Sequence, residues 1–178
     1  TKLTALAAAL AISIAGCGGG GDTTGDIAGI GGSGFVSSGA ITGFGSVYVN
    51  GVKYETGSST FDIEGVDGTQ AYLSVGMIVK VYGTINGTTG TATSIVYDDE
   101  LQGPVADINR TVPDSVSFTV LGIDVIADRT STNFDDVTFD TLANSDNVEI
   151  SGFFDSTGAL HASRIEKTTE TEVEIKGT

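Results

Sequence analysis

The chain repeats itself, and this limits its fold more than any other feature it has. Ser38-Gly39-Ala40-Ile41-Thr42-Gly43 returns as Gln102-Gly103-Pro104-Val105-Ala106-Asp107, and Ser46 through Tyr54 returns loosely as Ser117 through Val125. Residues 73–83 match residues 142–152 without a gap, and Thr91-Ala92-Thr93-Ser94-Ile95 matches His161-Ala162-Ser163-Arg164-Ile165. The blocks keep their order, which places one unit at residues 34–99 and a second at 100–167. Glu174-Ile175-Lys176-Gly177-Thr178 then repeats the opening of a unit, so residues 168–178 read as the start of a third.

Each unit reads as strands. Met77, Val79 and Val81 alternate with Ile78, Lys80 and Tyr82, and Val148 and Ile150 alternate with Asn147, Glu149 and Ser151. A period of two with charge on one face is a half-buried strand. Asn86-Gly87 and Asp155-Ser156-Thr157-Gly158 supply the turns that follow, and Asn50-Gly51 and Leu121-Gly122 suit tight hairpins earlier in each copy. Ala92 and Ile95 are three residues apart, as are Ala162 and Ile165. If both members of each pair face inward, a bulge at the same point of both copies is required. Residues 60–65 and 131–134 are short strand candidates, and Leu73 and Leu142 are expected on a single turn that plugs a barrel end. No segment carries a long helical period. A unit of about 65 to 70 residues without a disulfide is marginal, and closing its sheet removes exposed edges. The expected fold class is all-β: tandem small OB-like β-barrels of five or six strands each.

The N-terminal segment gives an address. Lys2 precedes an almost wholly apolar stretch at residues 4–15, too short to span a bilayer, and Ile14-Ala15-Gly16-Cys17 ends it. This resembles a bacterial lipobox, which makes residues 1–16 a signal peptide and Cys17 the lipidation site. Residues 17–33 follow as a glycine-rich, lipid-anchored tether. Gly18 after the cysteine, where aspartate commonly retains lipoproteins at the inner membrane, favours the outer membrane of the bacterial cell envelope. Gly29-x-Gly31-x-x-Gly34 matches a dinucleotide-binding spacing, but no strand precedes it and a strand follows it, so no cofactor is expected.

Charge and composition exclude several functions. With 8 Lys+Arg against 23 Asp+Glu the net charge is −15, and no basic stripe offsets it, so nucleic acid is not an expected partner. Cys17 is the lone cysteine and His161 the lone histidine, which leaves no internal disulfide, Cys-based zinc site or multi-histidine centre in this piece. His161 falls where the first copy has Thr91 and reads as an exposed strand residue. Carboxylates cluster at Asp98-Asp99-Glu100 between the units, and at Asp135-Asp136 with Asp140. The first cluster is a candidate calcium site, though it lacks the Asp-x-Asp-x-Asp-Gly spacing, and plain solvation is the competing reading. Tyr48, Tyr54, Tyr72, Tyr82 and Tyr97 all lie in the first unit, where they pack a barrel or offer stacking faces to sugars or bases.

The runs Gly43-Phe44-Gly45-Ser46-Val47-Tyr48-Val49-Asn50-Gly51-Val52-Lys53-Tyr54, residues 73–83 and Leu101-Gln102-Gly103-Pro104-Val105 carry a family resemblance. They look like the bacterial family catalogued as domain of unknown function 5666, found as tandem copies in predicted envelope proteins, often behind a lipobox. The second copy departs where Asn144-Ser145-Asp146 replaces the usual Val-Gly-Met/Asp step, which bears on the tightness of that turn. The resemblance implies OB-like barrels and no catalytic residues. The expected function is a non-catalytic envelope lipoprotein with β-barrel binding or scaffolding modules, whose partner is the membrane through Cys17 and an unidentified polysaccharide or protein. The alternatives are modules of an envelope hydrolase with its catalytic domain elsewhere, or a calcium-stiffened repetitive adhesin.

Overall fold

The structure, a computed structural model, describes residues 34–176. The expected signal peptide, Cys17 and the tether lie outside the described residues. The first copy forms β1 (Phe35–Gly43), β2 (Val47–Val49), β3 (Val52–Glu55), β4 (Thr60–Ile63), β5 (Val66–Asp67), β6 (Ile78–Asn86) and β7 (Thr89–Tyr97). The second forms β8 (Leu101–Asn109), β9 (Ser115–Val120), β10 (Ile123–Asp128), β11 (Asn133–Asp135), β12 (Asn147–Phe154) and β13 (Leu160–Lys167), with β14 (Glu174–Ile175) after it.

Both sheets close. In the first, the order β3-β2-β1-β6-β7 returns to β3 through a parallel β3–β7 pairing; in the second, β10-β9-β8-β12-β13 returns to β10 in the same way. Five strands in this order, with the third and fifth parallel, are the OB-type barrel. The parallel seam is long because β4 continues the line of β3 along β7, pairing Thr60–Ile63 with Ser94–Tyr97. β11 does the same on β13.

The bulges fall where the spacing of alanine and isoleucine required them. Tyr82 pairs with Ser94 and Gly83 with Ala92, leaving Thr93 as the extra residue; Ser151 pairs with Arg164 and Gly152 with Ala162, leaving Ser163. Ala92, Ile95, Ala162 and Ile165 are all buried as a result. Opposite each bulge the strands come so close that a Cβ on Gly83 would strike the Thr91 carbonyl, and one on Gly152 the His161 carbonyl. A hydroxyl covers each bulged carbonyl: Ser59 Oγ donates to Ala92 O at 2.7 Å and Thr132 Oγ1 to Ala162 O at 2.8 Å.

Each barrel has its own core. Ile41, Val47, Val49, Tyr54, Val79, Val81 and Ile95 fill the first; Leu101, Val116, Phe118, Val120, Val125, Ile150 and Leu160 fill the second. Burying each such side chain contributes about 1.5–3 kcal/mol, which is what holds a small closed sheet shut. The two leucines expected on single turns join the cores. Leu73 follows a single 3-10 turn (Gln70–Tyr72), and Leu142 N–H donates to Thr138 O at 3.0 Å to close one helical turn; both leucines are buried.

The turn at Asn144-Ser145-Asp146 stays as tight as its counterpart. Gly76 N donates to Ile41 O at 2.9 Å and Ile41 N to Met77 O at 2.9 Å; Ser145 N donates to Val105 O and Val105 N to Asp146 O, both at 2.8 Å. Ser145 adopts φ 73° to achieve it, near the φ 93° of Gly76. Even the side-chain brace is kept, with different atoms. Ser74 N–H meets Met77 Sδ at 3.2 Å, and Ala143 N–H meets Asp146 Oδ2 at 3.0 Å.

The segment expected to open a third unit does not stand apart in its described portion. β14 lies antiparallel on the start of β8, with Glu174 opposite Gln102 and Ile175 opposite Leu101.

Candidate functional site: the junction between the barrels

Residues 98–100 join β7 to β8; two side-chain hydrogen bonds tie the barrels together beside them, and Glu100 is pinned to the second barrel. Ser163 Oγ, on the bulge of β13, donates to the Gly76 carbonyl of the first barrel at 2.6 Å. Ser151 Oγ meets Tyr97 Oη at 3.3 Å. Glu100 turns inward and accepts the Gly152 N–H at 2.9 Å, while its own N–H donates to Ile150 O at 3.1 Å. Gly76 itself sits on β13. A Cβ there would lie 2.6 Å from Ser163 O and 3.0 Å from Arg164 Cβ. Arg164, whose side chain is 6% exposed, is held by Asp135 at 2.8 Å and Glu166 at 2.6 Å.

The acidic linker is only partly neutralised. Lys176, brought in by β14, places Nζ 3.4 Å from Asp99 Oδ1 and 3.5 Å from both Asp98 and Glu174, while its N–H donates to Glu100 O. Glu64, exposed as a residue on the β4–β5 turn, sets its carboxyl against Asp99 and Glu149. Burial first, then these like charges, push Glu64 up to about 7. Burial also pushes Glu100 up to about 7, against the opposing pull of the Gly152 N–H. Asp99 is raised by burial and drawn back by Lys176, and Glu149 is raised by burial and by Glu166.

The calcium reading of Asp98, Asp99 and Glu100 meets this geometry: two carboxylates face an ammonium and the third a backbone amide. Among the described residues no group of three or more His, Cys, Asp or Glu is placed to hold a metal ion. Asp135 and Asp140 belong to separate ion pairs, with Arg164 and Arg129. His161 is exposed on β13, its Nε2 3.0 Å from Asp155 Oδ2. The tyrosines form no common platform, since Tyr54 and Tyr97 are buried in the first core while Tyr72 is 66% exposed.

Beside the linker lies a cleft of 310 Å³. β1, β6 and β7 of the first barrel form one wall with Ser38, Ile78, Lys80 and Val96; Gly152 and Phe153 of the second form the other. Asp98, Asp99, Glu100 and Lys176 line it as well. The sequence marked the carboxylates but not Lys80, Phe153, Glu64 or Lys176. For Lys176 a signal existed: it is the one basic residue in the segment that restarts the repeat.

Two OB-type barrels joined through a structured acidic linker define the class of this protein. Its sequence matches the profile of the family described as "Domain of unknown function (DUF5666)" at residues 33–96 and again at 102–166. The chain belongs to that family, as a tandem pair. No curated protein and no solved structure matches it.

Proposed function

We propose that this chain is a non-catalytic lipoprotein of the bacterial cell envelope, held by an acylated Cys17 and extended by the glycine-rich residues 17–33. In this reading its paired barrels form one rigid binding and scaffolding module, and Gly18 after the cysteine directs it to the outer membrane. The observation that supports the rigid module is the junction. Direct hydrogen bonds from Ser163 to Gly76 and between Ser151 and Tyr97 tie the second barrel to the first beside the linker, where tandem domains usually have a free hinge. A rigid pair holds whatever it binds at a set distance from its anchor.

Two measurements test this. Labelled palmitate should enter the wild-type protein and not the Cys17→Ser variant; equal labelling of both removes the anchor. Residual dipolar couplings on the Cys17→Ser chain should fit one alignment tensor for both barrels, and two independent tensors remove the rigid module. A rise in Tm with millimolar calcium after chelation would favour the calcium-stiffened alternative.

A further inference from the structure

The opening strands of the two barrels differ at one edge. β2 reaches along β1 only as far as Ile41, and β9 along β8 only as far as Val105, so each opening strand leaves a short stretch that its hairpin partner does not cover. In the first barrel Asn50 covers it. From the tip of the β2–β3 hairpin, Asn50 Nδ2 donates to Ser38 O at 2.9 Å and to Ser37 Oγ at 3.0 Å. Leu121 holds the matching place in the second barrel. Both residues have φ 52°, and a Cβ on Gly39 would strike the Asn50 amide where one on Gly103 would meet Leu121 Cγ at 3.2 Å. Leucine has no donor, so the edge at Leu101-Gln102 stays open to a strand.

β14 is seated on that open edge. Glu174 pairs with Gln102 and Ile175 with Leu101, and Lys176 N–H donates to Glu100 O at 3.0 Å. Gln102 is the counterpart of Ser38, since Gln102 faces Glu149 of β12 as Ser38 faces Lys80 of β6. The strand therefore lies against the residue whose counterpart Asn50 caps. Side chains add selectivity. Lys176 sets Nζ 3.4 Å from Asp99 and 3.5 Å from Asp98, and Asp99 is otherwise a buried carboxylate facing Glu64. Main-chain bonds to an open edge, joined by side-chain contacts that select the segment, are the terms of strand addition. Glu174 and Ile175 are exposed, so little besides this edge holds β14.

We propose that the edge of β8 at Leu101-Gln102 is a strand-acceptor site for an extended peptide of the type Glu-Ile-Lys, the opening of a repeat unit, and that the residue at the hairpin tip decides whether a barrel has such a site. Asp98 and Asp99 read the lysine. Asn50 shuts the edge in the first barrel, and Leu121 leaves it open in the second. β14 is the occupant that the chain itself supplies. Every contact of the site lies within the second barrel and its linker, so the inference stands apart from the rigid-module reading and from the anchor.

Hydrogen exchange on the Cys17→Ser chain tests the hairpin tip. Leu121 is exposed, so its replacement leaves the barrel folded. Leu121→Asn should place the first barrel's cap on Gln102 O and free β14, lowering protection of the Lys176 amide by about tenfold or more. Leu121→Ala adds no donor and should leave β14 in place. Equal loss in both variants, or none in Leu121→Asn, overturns the role of the tip. The acceptor is tested on Lys176→Pro, which removes the N–H bonded to Glu100 O and the ammonium together. A peptide with the sequence of residues 171–178 should then give saturable ¹H–¹⁵N shifts at the Leu101 and Gln102 amides below about 10 mM. Binding should weaken by about fivefold when the peptide's lysine is replaced by glutamine, and vanish when Leu121→Asn is added. No saturable shift, or shifts that neither change alters, overturn the site.

Discussion

Ser163 Oγ donates a 2.6 Å hydrogen bond to the carbonyl of Gly76, across 87 residues of chain and from one barrel to the other. The same hydroxyl reaches Ser151 O at 3.0 Å, so the bulge residue of β13 braces its own barrel and the joint together. In the first copy the equivalent bulge residue is Thr93, which is exposed. One repeated device thus serves as a contact in one copy and as surface in the other.

Gly76→Ser tests this joint with an internal control. The second copy carries Ser145 at the matching turn with φ 73°, so the turn itself accepts a serine. At Gly76 the added Cβ would meet Ser163 O at 2.6 Å and Asn133 Nδ2 at 2.8 Å. The expected result is a loss of about 1–3 kcal/mol in denaturant unfolding, with separate alignment of the two barrels. Unchanged stability and a single tensor would show that the contact bears no weight.

The reverse substitution should stabilise. Ser145 holds a left-handed backbone that glycine adopts without steric cost. Ser145→Gly should therefore add up to about 1 kcal/mol, offset in part by the greater freedom of glycine in the unfolded chain. Equilibrium urea unfolding reads the sign, and a loss of stability contradicts the argument.

Gly83→Ala and Gly152→Ala should each damage one barrel. The methyl would enter space held by the Thr91 or His161 carbonyl of the paired strand. Backbone on both sides has nowhere to go, so a cost of about 2–4 kcal/mol is expected from calorimetry. An Ala variant with unchanged Tm would mean that the bulge widens freely.

Stability should fall as pH rises from about 4.5 toward 7. Glu64 and Glu100 have folded values near 7 against an ordinary 4.5, so between those values the folded state holds more protons than the unfolded one. For the buried Glu100 the full effect is at most about 3 kcal/mol, and solvent screening makes that of Glu64 smaller. Asp135, Asp140, Asp146 and Asp155 lie below their ordinary 3.8, so their contribution is lost at more acid pH. A maximum between pH 4 and 5 follows. Glu100→Gln keeps an acceptor for the Gly152 N–H and should flatten the decline above pH 5; an unaltered slope would place the titration elsewhere.

Much of the fold was legible because it is local. Val47, Val49, Val52 and Tyr54 face inward and Tyr48 and Lys53 outward, as strand alternation around Asn50-Gly51 dictates. The alanine–isoleucine spacing announced the bulges, since a parity break on one strand has few other solutions. The site was legible only in part. Asp98, Asp99 and Glu100 stood out as a run of charge, yet their side chains take different partners, and a run in one dimension does not say which way each one turns.

The sequence by itself determined two like units, their strands, their inward faces and their hairpins, because alternation and turn chemistry act between residues a few positions apart. Only the tertiary structure decided how the units meet. Ser163 finds Gly76 and Lys176 finds Asp99 over separations of 87 and 77 residues. Those meetings depend on the shape of two finished barrels, and no local pattern along the chain encodes them.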